Sequence, residues 1–191
     1  MHLARRAWCR TYQTVFRIAL PILPYTEPHI LEHAEDVPAV FQKRSIQQVL
    51  IVTDPGIARL GLTAPLERAL ASKGIGVTVY AETRANPTVS NVEEAAALYR
   101  ENDCQAIIGF GGGSAMDCAK GVGARIAQPN KPINKMRGLL RVHRLLPLLI
   151  AVPTTAGTGS EVTLAAVITD DETHYKYPIN DFVLIPRFAV H

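Results

Sequence analysis

From residue 46 onward, short apolar runs alternate with segments of helical period, and this constrains the fold more than any other feature of the chain. Residues 49–53 form the first run, closed by Asp54-Pro55-Gly56. Residues 65–73 then place Leu66, Ala69 and Leu70 on one helical face, with Gly74 just past the end. Residues 76–80 make a second strand. Residues 92–99 carry Val92, Ala95, Ala96 and Tyr99 at helical spacing. Residues 106–110 are a third strand, followed at once by a glycine cluster and a third helix over 114–127. Strands alternating with helices predict a parallel sheet with helices on both faces. Strands of such sheets are buried on both sides and read as unbroken apolar runs, as VLIV and AIIGF do. The expected fold class is α/β, a Rossmann-like parallel sheet, occupying residues 46–191 behind an extension and lead-in over 1–45.

Beyond residue 127 the rhythm changes. Residues 128–144 are polar and basic, with Pro129, Pro132 and Gly138, which predicts a loop or a short hairpin. Residues 145–152 read as another buried strand, 162–169 as a further one, and 182–190 as partly extended.

The charge pattern excludes several classes. A net charge of +3 gives no basis for nucleic-acid binding. No apolar stretch reaches the roughly 18 residues of a membrane span. The three cysteines, Cys9, Cys104 and Cys118, form no CxxC pair. They suit a reducing compartment, so a cytoplasmic location is expected. Arg5, Arg6, Arg10 and Arg17 all precede the first acidic residue, Glu27. Arg17, Pro21 and Pro24 interrupt any secretory apolar core, and the stretch lacks the serines of a transit peptide. A short amphipathic helix capping the domain or touching a partner is expected there.

Ligands of open α/β sheets bind beyond the carboxyl ends of the strands. Three candidate features fall at such ends. The first is Gly111-Gly112-Gly113-Ser114, between a strand and a helix. Glycines admit close backbone approach. The helix start adds free N–H groups and partial positive charge, suited to a pyrophosphate. A tight turn is the other reading, with Ser114 and Asp117 capping the helix in an S-x-x-[DE] pattern. The loop ends in Ser and follows the third strand, so it departs from the Rossmann fingerprint. Lys120 lacks the neighbours of a Walker A lysine. The second feature is the segment 153–161, where Thr154, Thr155, Thr158 and Ser160 offer hydroxyls to phosphate and ribose oxygens. The third is Asp54, either a ribose ligand that disfavours a 2′-phosphate or the start of the Asp-Pro-Gly turn. A separate pattern, His29-Ile30-Leu31-Glu32-His33, reads H-x-x-E-H; on a helix both histidines would share a face, as in a zinc peptidase.

The segments VTD at 52–54, NPT at 86–88, GGGSAMDCAK at 111–120, PTTAGTGSEVT at 153–163 and VITD…K ending at Lys176 together resemble the iron-containing (group III) alcohol dehydrogenases. The resemblance spans roughly residues 20–191, and PTTAGTGSEVT favours this branch over dehydroquinate synthase. It implies an N-terminal dinucleotide-binding domain, followed in the family by an all-helical metal domain absent from this chain. It implies Asp54 at the adenosine ribose and Asn86 beside the cofactor. Gly112, Gly113 and Ser114 would hold the pyrophosphate. Thr154, Thr155 and Thr158 would contact the phosphates and the nicotinamide side, and Lys176 the nicotinamide ribose. The implied cofactor is NAD, with NADP not excluded. Fe or Zn is expected only with the helical domain, whose ligands are an aspartate and three histidines. The implied activity is metal-dependent interconversion of alcohols with aldehydes or ketones, the chain alone being inactive. The expected partners are a small-molecule alcohol or aldehyde and, because the uncovered surface would be apolar, further copies in a homo-oligomer. A non-catalytic nucleotide-binding or interaction module is the alternative from another class.

Overall fold

The computed structural model describes residues 25–191 together with Arg10, Thr11 and Thr14. Most of the amphipathic helix expected around Arg5, Arg6, Arg10 and Arg17 lies outside the described residues; Arg10, Thr11 and Thr14 are helical and exposed.

Six strands make one parallel sheet: β1 (His29–Leu31), β2 (Gln48–Val52), β3 (Gly76–Tyr80), β4 (Ala106–Gly111), β6 (Leu148–Pro153) and β9 (Phe188–Val190). Their order is β1-β9-β6-β4-β2-β3. The register sets Val49 beside Ala106, and Ala106 beside Leu148. Side chains of a strand point alternately to opposite faces. Val49 and Ile51 therefore join one core with Ile108, Leu66 and Leu70, while Leu50 and Val52 join the other with Ile107, Val92 and Val122. Both halves of VLIV are buried, which is why the run has no polar alternation.

The helices are α1 (Val37–Gln42), α2 (Pro55–Arg59), α3 (Ala64–Ala71), α4 (Val89–Glu101) and α5 (Gly113–Ala127). Their starts follow local chemistry. Asp54 caps α2, with Pro55 at its first position. Thr88 and Asn91 form a reciprocal capping box on α4. Residues 29–42, ahead of the regular sequence pattern, supply an edge strand and α1, whose Val37 and Phe41 are fully buried.

A second sheet, of β5 (Gly138–Leu139), β8 (Lys176–Asn180) and β7 (Ala165–Thr169), lies against α5. Of the loop or short hairpin expected in 128–144, the loop is what forms. That stretch makes a 3-10 turn over Ile133–Met136 and the short β5, which pairs parallel to the distant β8. Strand β8 escapes the sequence pattern because Pro178 breaks it. The proline is tolerated because β5 reaches only Ile179 and Asn180, leaving that edge open beside Pro178.

Candidate cofactor-binding site

Strand β2 has β3 on one side and β4 on the other, so the winding of the sheet reverses at the β2/β4 boundary. Such a boundary leaves a crevice at the carboxyl ends of the strands. A cleft of about 720 Å³ opens there. Asp54, Gly112, Gly113, Ser114, Thr154 and Thr155 line it. Asn86, Thr158 and Lys176 stand beside these residues and do not line the cleft itself.

The capping reading of Asp54 is borne out. Its Oδ1 accepts hydrogen bonds from the amides of Gly56 (2.8 Å) and Ile57 (3.0 Å), capping α2. Its Oδ2 stays on the side of Gly111, 3.4 Å from where a Cβ there would stand. Gly111 has φ +144°, a backbone region closed to other residues without strain.

The capping reading of Ser114 and Asp117 is corrected. Helix α5 starts at Gly113, so Ser114 is already inside it, and Gly112 makes no side-chain cap. Ser114 Oγ instead accepts from the Asn86 amide at 3.2 Å. Asp117 accepts from Ser160 Oγ (2.7 Å) and from the Val167 amide (3.0 Å). The first turn of this 15-residue helix therefore meets the cleft with no side-chain acceptor on its amides. That arrangement suits an anion.

Asn86, Ser114 and Lys176 are brought together. Asn86 holds φ +63°, and its Oδ1 accepts from Lys176 Nζ at 2.9 Å. The turn carrying Asn86 is organised by Asn91, whose Oδ1 accepts from the amides of Arg84 (3.3 Å) and Thr88 (3.2 Å). The T-x-x-N spacing of Thr88 and Asn91 is a readable cap signal. Nothing local marks Arg59 and Arg84, which also line the cleft and give it two cations.

The threonine loop leans on the glycine loop. The Thr154 amide donates to Gly111 O at 3.0 Å. A Cβ at Gly112 would stand 3.3 Å from Thr155 Oγ1, and one at Gly113 only 3.0 Å from Thr158 Cγ2. These glycines thus serve the packing of two loops as well as access for a ligand.

Several ionisable groups are buried in the protein. Burial pushes the thiol of Cys118 and the phenols of Tyr99 and Tyr177 up to about 12. Burial and a hydrogen bond to Glu94 raise Tyr80 further. Burial lowers Lys120 to about 8 against the attraction of Asp117 and Glu161. The four acids have folded values above their unfolded ones. Their stabilisation is complete below about pH 9 and is lost as pH rises toward 12. Lys120 has the opposite sign, because the strain of its buried charge is relieved between about pH 8 and 10.5. The urea midpoint is therefore expected to hold up to about pH 10 and then fall steeply. A midpoint unchanged at pH 12 contradicts the burial of these acids.

The zinc-peptidase reading is also corrected. His29 lies in strand β1 with its ring 5.4 Å from that of Phe188, and His33 follows the strand, so the two share no helical face. No group of three His, Cys, Asp or Glu that could hold a metal occurs among the described residues.

Residues 30–191 match the family model described as iron-containing alcohol dehydrogenase. The chain belongs to that family. A curated relative, the probable alcohol dehydrogenase EutG of Salmonella typhimurium, is 38% identical over 149 residues, which is 78% of this chain and 38% of the relative. The solved alcohol dehydrogenase from Oenococcus oeni superposes with a TM-score of 0.80 at 33% identity, over 87% of this chain and 45% of that one. A sulfoacetaldehyde reductase from Bifidobacterium kashiwanohense, solved in complex with NAD+, superposes with a TM-score of 0.74 at 29% identity, over 87% and 45%. The chain thus spans less than half the length of these relatives. The sheet and its flanking helices are those of the N-terminal domain of iron-containing alcohol dehydrogenases. Among the described residues no helix is long and apolar enough to cross a membrane.

Proposed function

We propose that this chain is the NAD(H)-binding half of a metal-dependent, cytoplasmic alcohol dehydrogenase that interconverts small alcohols with aldehydes or ketones. One observation carries the reading. At the switch point of the sheet, the uncapped start of α5, the Cβ-free Gly111–Gly113 turn and the second oxygen of Asp54 face one cleft. A dinucleotide fits that donor set. Its pyrophosphate takes the amides of Gly112, Gly113 and Ser114, supported by Thr154, Thr155 and Thr158. Its adenosine ribose bonds to Asp54. Asn86 and Lys176, already joined, hold the nicotinamide side. The bound nicotinamide supplies the hydride acceptor, and these residues bind and orient it. A metal finds no donor set among the described residues, so the 191-residue chain alone is proposed to bind NADH and to oxidise no alcohol.

The test is a fluorescence titration with NADH and NADPH, run beside an assay for alcohol-dependent NADH formation. Saturable binding that favours NADH, with no turnover, is expected. Asp54→Asn keeps an N-cap acceptor while removing the charge. It should narrow the NADH preference about tenfold, as expected for one charge in a partly solvated cleft. A chain that binds neither cofactor overturns the reading, and turnover by the chain alone overturns the inactivity.

A further inference from the structure

We infer that Lys120 is a positioning residue of the cofactor site, fixing from α5 the segment that hangs the threonine loop over the glycine loop. The inference rests on reading the cleft as a dinucleotide site. Lys120 is fully buried, two turns along the helix whose first turn faces the cleft. Its ammonium donates to Thr163 O at 2.8 Å, Thr163 Oγ1 at 3.2 Å and Ala165 O at 2.8 Å. An ammonium has three N–H donors, so this grip is complete. One turn earlier on the same helix face, Asp117 holds Ser160 Oγ and the Val167 amide, on either side of that grip.

The loop is therefore strung between two anchors. One is the Thr154 amide on Gly111 O, and the other is the set of bonds from Asp117 and Lys120 to residues 160–167. Both anchors belong to the β4–α5 unit that carries the glycines. Residues 154–158 between them are exposed. Among the described residues, their one hydrogen bond besides the Thr154 anchor is a weak one from the Ser160 amide to Thr158 Oγ1 at 3.5 Å. Where Thr155 and Thr158 come to rest is decided by the anchors. Burying an ammonium is costly, and an apolar side chain would fill the same volume more cheaply. Only a charged donor reaches both carbonyls and the hydroxyl at once.

The experiment compares wild type, Lys120→Met and Thr163→Val by NADH titration, adenosine titration and amide hydrogen exchange. Lys120→Met should weaken NADH about tenfold or more, the loss expected when hydrogen bonds to a charged donor are removed. Adenosine carries no phosphate and reaches only the Asp54 end, so its affinity should stay unchanged, an outcome that general destabilisation would not produce. Exchange should speed up across 154–163 while β2 and β4 keep their protection. Thr163→Val removes one acceptor of the three and should cost NADH about threefold. Should Lys120→Met fail to fold, Thr163→Val alone decides. NADH affinity within the error of wild type, with unchanged exchange at 154–163, overturns the inference. If wild type itself binds no NADH, the dinucleotide reading falls; the exchange data then still decide whether Lys120 anchors the loop.

Discussion

Gly113→Val should reduce NADH affinity about a hundredfold, equivalent to roughly 3 kcal/mol of lost contact. Gly113 opens α5, and a Cβ there would stand 3.0 Å from Thr158 Cγ2 and 3.2 Å from Thr158 Cβ. The branched side chain must push the threonine loop outward or occupy the space above the helix amides. Either way the anion loses donors on one side. Because the opposing loop is exposed, the damage falls on binding more than on folding. Gly112→Ala meets only Thr155, its Oγ1 at 3.3 Å and its Cγ2 at 3.7 Å, and should cost less. Thr158→Ala removes the obstructing methyl, so combining it with Gly113→Val should recover part of the loss, a coupling read from a double-mutant cycle. Binding within threefold of wild type for Gly113→Val would show that the two loops do not close on one ligand.

The second large effect concerns stability. Phe41→Ala should lower the unfolding free energy by about 3–5 kcal/mol in urea, the usual range for emptying a buried aromatic site. Phe41 has no exposed surface and lies on α1 in the core that also holds Ile51, Leu66, Leu70 and Ile108. Domains of this size have only about 5–15 kcal/mol in total, so the variant is expected to be marginal. Leu145→Ala is the matched control. Leu145 is 87% exposed, and its truncation should change stability by less than about 0.5 kcal/mol. A small effect at Phe41 would mean that residues 29–42 merely lie against the sheet.

Much of this molecule was legible in its residues alone. The runs at 49–53, 76–80 and 106–110 became β2, β3 and β4, because a strand buried on both faces must be apolar throughout. The helical periods at 65–73, 92–99 and 114–127 became α3, α4 and α5 within a few residues. Asp54, the glycine cluster and the threonine cluster were visible as hydroxyl, carboxylate and glycine signals at strand ends. Such features are local: period, turn chemistry and caps act over fewer than about ten residues.

The rest required the fold. A glycine loop after the third strand looked misplaced for a dinucleotide site. It lies at the switch point of the sheet because β4 pairs with β2, opposite β3. Ser114 and Asp117 matched a helix cap in sequence. In space, Ser114 found the Asn86 amide 28 residues away, and Asp117 found Ser160 and Val167, 43 and 50 residues away. Lys176 reached Asn86 across 90 residues. The edge strand β1 is three residues long and pairs only with β9 at the far end of the chain, and β8 hides behind Pro178. What the sequence determined by itself was the alternation of elements and the chemistry stationed at their ends. Tertiary structure alone decided which strand lies beside which, and hence which side chains meet, because pairing between distant segments is set by the burial of whole faces and leaves no periodic trace in either partner.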